Sequence, residues 1–135
     1  MGVQARQGST AMTHAQELGR YAEDRAAEYL ASIGWRVVAR NVRNSCGELD
    51  IIALDPKARE LVIVEVRART LGLTQSPLES VGSRKLRTLL KASRLYVEEI
   101  NWTGFWRIDV VGITIKAPGD WELEHVKDID RKSVV

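Results

Sequence analysis

Apolar residues recur every three or four positions between Thr13 and Gly34, which is the spacing of one face of an α-helix. Thr13 and Gln16 stand three residues apart and can form a capping box at the start of this helix. Gly34 is suited to end the helix in the left-handed conformation. The segment therefore predicts an amphipathic helix. Its apolar stripe consists of Ala15, Leu18, Ala22, Ala26, Tyr29, Leu30 and Ile33.

Two β-rich runs come later in the chain, from Gly47 to Asp55 and from Glu60 to Arg69. The four residues from Pro56 to Arg59 separate them. This pattern predicts a β-hairpin with a four-residue loop. If the hairpin is symmetric about the loop, Asp50 lies directly opposite Glu65. Side chains alternate across a strand. One face is then predicted to carry Glu48, Asp50, Ile52, Leu54, Leu61, Ile63, Glu65, Arg67 and Arg69, and the other Leu49, Ile51, Ala53, Val62, Val64, Val66 and Ala68.

The remaining pattern completes an α/β fold. It predicts a strand from Trp35 to Val42, a second helix from about Leu78 to Ile100, and strands from Phe105 to Ile115 and from Trp121 to Val126. The order α-β-β-β-α-β-β is typical of a mixed central β-sheet flanked by helices. Residues 13–135 are expected to form a single domain, preceded by a disordered segment over residues 1–12.

Composition limits the classes of protein and the cellular compartments that fit the chain. Its 135 residues carry a formal net charge of +2, which is too small to identify a nucleic-acid-binding protein by itself. A single cysteine, Cys46, excludes an intrachain disulfide and a cysteine-based zinc cluster, and it fits a reducing cytoplasm. No apolar run approaches the roughly 18 residues that a membrane helix needs. A cytoplasmic protein without a membrane partner is expected; the oligomeric state is open, a homodimer included.

The predicted pairing of Asp50 with Glu65 is the main chemical signal. Directly opposed side chains lie about 5 Å apart at Cβ, and like charges at that distance are destabilising. A hard divalent cation such as Mg²⁺ or Mn²⁺, held by oxygen ligands, would remove the repulsion. Such an ion could also polarise a phosphodiester and activate a water molecule. The alternative is a structural ion network in which Arg67, Arg69 and Glu48 neutralise the pair.

Two further features could belong to the same site. Glu23 lies beside the apolar stripe of the first helix and is directed along the sheet, either as a third carboxylate or as an ordinary boundary glutamate. The second helix carries a row of basic residues, which could follow phosphates or form a solvated helix face. The row consists of Arg84, Arg87, Lys91 and Arg94, and Arg69 of the hairpin is a further candidate for nucleic-acid contact.

The strings Gly-Glu-Leu-Asp-Ile-Ile from Gly47 and Val-Glu-Val-Arg-Ala-Arg from Val64 resemble the YraN family of uncharacterised bacterial proteins. Further matching positions are Arg20 to Leu30, Gly34-Trp35, Asn41, Lys85-Leu86 and Arg107 to Val111, so the resemblance covers nearly the whole chain after Thr13. That family in turn resembles the restriction-endonuclease-like (PD-(D/E)xK) superfamily, which includes archaeal Holliday-junction resolvases.

The resemblance implies roles for individual residues. Asp50 matches the motif aspartate and Glu65 the acidic residue of the ExK triplet, so both are expected to bind Mg²⁺, together with the backbone carbonyl of Val66. Glu23 matches the helix glutamate of resolvase-like members. The triplet lysine is expected at position 67, where this chain has arginine. Arg67 can supply charge but does not give up its proton at working pH.

Lys85, at the flank of the second helix, could replace the missing lysine, since superfamily members sometimes move it this way. The alternative is a boundary lysine whose stem covers apolar surface. The expected function is divalent-metal-dependent cleavage of DNA, with branched or nicked DNA as a candidate substrate. Two alternatives are a nucleic-acid-binding module that has lost cleavage and a protein-interaction domain with a structural acidic cluster. His14, His125 and the tryptophans are not expected to act, and Asp109 is expected to form a structural pair with Arg107.

Overall fold

The computed structural model describes residues 12–70 and 75–130. The predicted disordered segment, except Met12, and the last five residues lie outside this part of the chain. Helices and strands are assigned within these described residues alone. They are α1 (His14–Ser32), β1 (Arg36–Asn44), β2 (Gly47–Asp55), β3 (Glu60–Thr70), α2 (Pro77–Ser80), α3 (Ser83–Glu99), β4 (Trp106–Ala117) and β5 (Asp120–Val126).

The strands form one sheet in the order β1-β2-β3-β4-β5. β3 and β4 are parallel, and the other neighbours are antiparallel. A parallel pair needs a crossover connection, which α2 and α3 supply here. The predicted mixed α/β fold is confirmed, and β5 lies at an edge of the sheet.

Each face of the sheet carries its own apolar core. α1 contributes Ala22, Ala26 and Leu30 to one core, against Ile51, Val64 and their neighbours. α3 contributes to the core on the other face, against the alternate residues of the same strands. Trp102 and Trp106 pack on the α3 side and Trp121 on the α1 side, as expected of core residues. The sheet is therefore covered on both faces, and only its ends are left for polar sites.

The caps of α1 follow the prediction. Thr13 accepts a hydrogen bond from the Gln16 backbone, the Gln16 side chain accepts one from the Thr13 backbone, and Gly34 has a φ of 89°. Ile33 was assigned to the apolar stripe, and this was wrong. It caps the helix and is 43% exposed, because the chain turns towards Trp35 before Ile33 can face the sheet.

The second predicted helix is two helices, which is a correction. The chain is extended at Val81, so the four-residue α2 ends there and α3 begins after Gly82. Ser76 and Glu79 form a capping box that starts α2. Ile100, the predicted last residue of the second helix, follows α3 as its C-cap and is 43% exposed. In the parts of the chain that the structure describes, no helix is both long and apolar enough to cross a membrane.

Gly112 fixes the position of α2. Pro77, the first residue of α2, packs so closely on the backbone of Gly112 that a Cβ at this position would overlap the proline ring. Only glycine allows this approach without a shift of α2. The contact places Ser80, at the other end of α2, against the side chain of Arg67.

Candidate metal and nucleic-acid site

The β2–β3 hairpin has the predicted register as far as its ladder extends. The pairs run from Asp55–Glu60 to Ile51–Val64, on either side of the four-residue loop. The hydrogen-bonded ladder ends one pair before Asp50 and Glu65, so their predicted direct pairing is not among its pairs and stays a prediction. At this end of the ladder the Asp50 side chain makes the contact between the strands, because its Oδ2 accepts a hydrogen bond from the Val66 backbone N–H at 2.8 Å.

The alternation of faces also breaks at Asp50. Leu49 was predicted on the face of Ile51, but it packs in the α3-side core together with Ile52, whereas Ile51 packs on the α1 side. In a regular strand Leu49 and Ile51 would share a face. Asp50 therefore sits where the pleat reverses, between the two faces of the sheet. Groups from both helices can approach a carboxylate in this position.

Glu65 approaches the same place from the α3 side. Its side chain is 3% exposed, and its Oε1 is buried without a hydrogen-bond partner in the described structure. Its Oε2 lies 3.4 Å from Nη1 of Arg67 and 3.5 Å from Nζ of Lys85. One oxygen is thus balanced by two cations, and the other has no donor.

The two cations near Glu65 differ in their other contacts. Arg67 donates through Nε to the hydroxyl of Ser80 at 3.1 Å and through Nη2 to the Ser80 carbonyl at 3.2 Å. Its guanidinium is therefore held by α2. Lys85 has a half-exposed side chain, and its ion pair with Glu65 is its one salt bridge within the described residues. Lys85 is the cation that is free to move towards a ligand.

Glu23 lies on the α1 side of the break. Its Oε1 accepts hydrogen bonds from Nε and Nη2 of Arg40 and from Nδ2 of Asn41. Glu23, Arg40, Asn41, Asp50 and Val66 all line one cleft of about 790 Å³ between α1 and the first two strands. The structure thus places Glu23 and Asp50 in one cleft, which is a condition for Glu23 to act as a third carboxylate.

The charges around Asp50 oppose its ionisation. Burial, followed by the negative charge of Glu65, raises the pKa of Asp50 to about 7. Glu23 raises it further, while the Val66 N–H and the charge of Lys85 act in the opposite direction. A carboxylate that resists ionisation for these reasons gains strongly from a nearby cation.

We expect Asp50→Asn to stabilise the metal-free protein at neutral pH. A carboxyl group whose pKa rises from 3.8 to about 7 on folding loses stability as the pH rises between these values, and the full cost is present above pH 7. The cost is on the order of a few kcal/mol. Asparagine carries no charge and can still accept from Val66. Melting temperatures in EDTA between pH 4 and 8 should therefore diverge, with the wild type falling below the variant. If the melting temperatures of the two proteins change in parallel with pH, the proposed cost of ionising Asp50 is contradicted.

The residues around Asp50 fit a hard divalent cation. Glu65 Oε1 is a buried acceptor without a donor, and Asp50 supplies a second carboxylate. In an extended strand the N–H and C=O of one residue point to the same side, so the Val66 carbonyl faces Asp50 with its N–H. Within residues 12–70 and 75–130, no group of three or more His, Cys, Asp or Glu side chains could hold a metal ion. A cation held here by Asp50 and Glu65 would need further oxygen ligands, for which the Val66 carbonyl and water are candidates, and Mg²⁺ and Mn²⁺ accept such ligands.

The basic row predicted on the second helix lies on the exposed side of α3. None of its four members has a carboxylate within 4.0 Å in the described part of the chain. Arg69 differs from them, because it is half-buried and donates to the Thr114 hydroxyl at 2.9 Å. The α3 basic row, as we call it from here, consists of Arg84, Arg87, Lys91 and Arg94.

A buried network at the other end of the sheet was only partly anticipated. Arg107 and Asp109 form the expected structural pair at 2.9 Å. His125 joins them, since its Nε2 lies 2.8 Å from Asp109 and its Nδ1 lies 2.9 Å from the Tyr29 hydroxyl. Burial would raise the pKa of Asp109, but hydrogen bonds from His125 and Arg107 hold it below its usual range. Tyr29 and His125 are 96 residues apart, so no local pattern could reveal their contact.

The protein is a mixed sheet with helices packed on both faces, and it carries two acidic residues, Asp50 and Glu65, at one end of the β2–β3 hairpin. Comparison with known proteins identifies the family. The model of the uncharacterised protein family UPF0102 matches residues 22–113, and the chain belongs to this family. The predicted resemblance to YraN is thereby confirmed.

Individual relatives align over most of the chain. The UPF0102 protein of Marinobacter nauticus is 38% identical over 125 residues, which cover 92% of this chain and 95% of the relative. That of Mycobacterium sp. (strain KMS) is 38% identical over 114 residues, 83% of this chain and 84% of the relative. That of Chlorobium chlorochromatii is 36% identical over 117 residues, 83% and 89% of the two chains.

Proposed function

We propose that this protein is a divalent-metal-dependent nuclease that hydrolyses phosphodiester bonds in DNA, with branched or nicked DNA as its expected substrate. The observation that carries the proposal is the arrangement at the open end of the hairpin. Asp50 and the unpartnered oxygen of Glu65 offer hard ligands, and Lys85 stands 3.5 Å from the other Glu65 oxygen. The single cysteine is consistent with action in the cytoplasm.

Each residue at the site has a distinct proposed task. Asp50, Glu65 and the Val66 carbonyl would hold Mg²⁺ or Mn²⁺, which when bound polarises a phosphodiester and makes water a stronger nucleophile. Lys85 would donate to a phosphate oxygen as negative charge develops on it. Arg67, held by Ser80, would keep Glu65 correctly placed. The α3 basic row would bind the phosphates that flank the cleaved bond.

One observation favours a second candidate, a nucleic-acid-binding protein that has lost cleavage. The residue at the motif lysine position is Arg67, and α2 occupies its guanidinium. If Lys85 cannot take over, the site would bind a cation and DNA without hydrolysis. A protein-interaction domain with a structural acidic cluster is the outcome left if neither ligand binds.

Cleavage assays on nicked, branched and supercoiled DNA test the proposal. Wild-type protein with Mg²⁺ or Mn²⁺ is expected to cleave at least one of these forms, and EDTA should stop it. Asp50→Asn should abolish cleavage while the fold is retained, because the hydrogen bond to Val66 survives in asparagine. Activity that persists in Asp50→Asn would contradict the proposed site.

DNA affinity is expected to fall steeply with salt, because contacts to phosphate release counterions. Arg87→Gln with Lys91→Gln should reduce the slope of log K against log salt by roughly 2, about one for each lost phosphate contact. Lys57→Gln with Arg59→Gln, in the exposed hairpin loop, is a matched control of equal charge loss. Fluorescence anisotropy at several salt concentrations measures the slopes. Equal slopes for the two double variants would show that the α3 basic row does not bind DNA.

A further inference from the structure

Asn41 of β1 has an unusual backbone at the position opposite Asp50. The β1–β2 ladder pairs Arg40 with Ile51 and Val42 with Leu49, so Asn41 and Asp50 face each other between these pairs. Asn41 has a φ of 53°, in the left-handed region that non-glycine residues rarely adopt. Asparagine is among the residues that tolerate this region best. The break in the pleat at Asp50 is thus matched by a break in the neighbouring strand.

The left-handed turn at Asn41 changes which side of the sheet its side chain reaches. Ala39 and Val42 pack against the α3-side core, and regular alternation would place Asn41 on the side of Ala39. Instead, the consecutive side chains of Arg40 and Asn41 both reach Glu23 on α1. A regular strand directs consecutive side chains to opposite faces. The unfavourable φ of Asn41 therefore allows Arg40 and Asn41 to contact Glu23 at the same time.

The contacts on Glu23 are concentrated on one oxygen. Oε1 accepts from Arg40 Nε at 3.1 Å, Arg40 Nη2 at 3.0 Å and Asn41 Nδ2 at 2.9 Å. The Glu23 side chain is 12% exposed. Asp24 accepts a further bond from Arg40 at 2.7 Å, which anchors the guanidinium to α1 at a second point. Oε2 of Glu23 receives no hydrogen bond from the described residues, although Glu23 lines the same cleft as Asp50.

We infer that Arg40 and Asn41 are positioning residues that hold Glu23 by Oε1 and thereby keep Oε2 available to water bound by the divalent cation of the cleft. The inference rests on the proposed function, because it assigns a supporting role at the same site. It adds two residues to that site and gives a reason for the left-handed conformation at Asn41. Groups that orient a metal ligand in this way typically contribute 10- to 100-fold to affinity, by the general order of magnitude.

The test is the affinity for Mn²⁺ of the full-length protein, measured by electron paramagnetic resonance without DNA. Asn41→Gly removes the amide and suits the backbone, so the fold should be at least as stable as in the wild type. Arg40→Lys keeps the charge but cannot give the paired contacts. Each is expected to weaken Mn²⁺ binding by about tenfold or more. The matched controls are Asn101→Gly, at another left-handed asparagine, and Arg36→Lys, on the exposed part of β1; neither should change the affinity.

A double-mutant cycle with Glu23→Gln separates positioning from general structural support. If Arg40 and Asn41 act through Glu23, adding either substitution to Glu23→Gln causes no further loss. Losses that add, or unchanged affinity in Asn41→Gly and Arg40→Lys, would overturn the inference while leaving the proposed function in place. Wild-type protein that binds no Mn²⁺ would overturn both.

Discussion

Lys85→Met is expected to reduce DNA cleavage by about 10²- to 10⁴-fold, the usual contribution of a positioned group that donates to the reacting phosphate or transfers a proton. Lys85 lies 3.5 Å from Glu65 and has no other salt bridge among the described residues, so its ammonium can reach a ligand bound at the carboxylates. Methionine preserves the stem and removes the charge. The loss should appear in kcat, with DNA affinity changed much less, since the phosphate contacts are proposed to come from the α3 basic row.

The same experiment decides between Lys85 and residue 67. Arg67→Lys alone should change cleavage by less than about tenfold, because in the proposed site Lys85 already provides the ammonium. In the Lys85→Met background, Arg67→Lys should recover part of the activity, since a lysine at 67 is near Glu65. Lys57→Met, on the exposed hairpin loop, is the control for loss of a lysine. Full activity in Lys85→Met would exclude this role for Lys85.

Arg107→Met is expected to lower the free energy of unfolding by about 3–5 kcal/mol, the cost of leaving buried charges without a partner. Arg107 is buried and contacts three carboxylates: Asp109 at 2.9 Å, Asp55 at 3.2 Å and Glu60 at 2.5 Å. Its guanidinium also lies over the ring of Trp35 at 5.2 Å. For a chain of this length the melting temperature should fall by roughly 10 to 20 °C.

The folded Arg107→Met variant should keep its cation site. Arg107 pairs with Val62 in the β3–β4 ladder, four residues before Val66, which places it roughly 13 Å along the sheet from the Asp50 end. Urea unfolding measures the stability, and Mn²⁺ affinity at low temperature measures the site. The exposed Arg36→Met is the control. A change in stability below about 1 kcal/mol would show that the network at Arg107 is not needed for folding.

Local signals were enough to predict much of the fold. The four-residue loop set the hairpin register from Asp55–Glu60 to Ile51–Val64, because a short loop leaves little choice of pairing. Thr13, Gln16 and Gly34 marked the ends of α1 for the same reason, since caps act over three or four residues. The apolar residues 22, 26 and 30 indicated the buried face of α1 correctly.

Irregular backbone could not be predicted from periodicity. A strict period of two placed Leu49 on the same face as Ile51, but the pleat reverses at Asp50, so the two side chains pack on opposite faces of the sheet. The split of the second helix carried a visible signal, because Ser76, Glu79 and Gly82 are cap residues. The prediction instead followed the continuous helical spacing of the apolar residues and therefore gave a single helix from about Leu78 to Ile100.

Some of the candidate site residues could likewise be predicted from local signals, and others could not. Asp50, Glu65, Lys85 and Glu23 were proposed from motif and helix position, and the structure places Lys85 beside Glu65 and Glu23 in the cleft of Asp50. The contact of Arg40 with Glu23 was not predicted, because it spans 17 residues and depends on how α1 lies on the sheet. Asn41 had one usable signal: asparagine within a strand is a residue suited to a left-handed position.

The most direct test of the metal site is anomalous X-ray scattering from crystals of the protein grown with Mn²⁺. We expect one strong manganese peak beside β2 and β3, within about 2.0–2.3 Å of Asp50, Glu65 and the Val66 carbonyl oxygen, as is usual for oxygen ligands to a hard cation. The peak should be absent from crystals of Asp50→Asn. A well-ordered wild-type site without a peak, with Glu65 paired only to Arg67 and Lys85, would contradict the account.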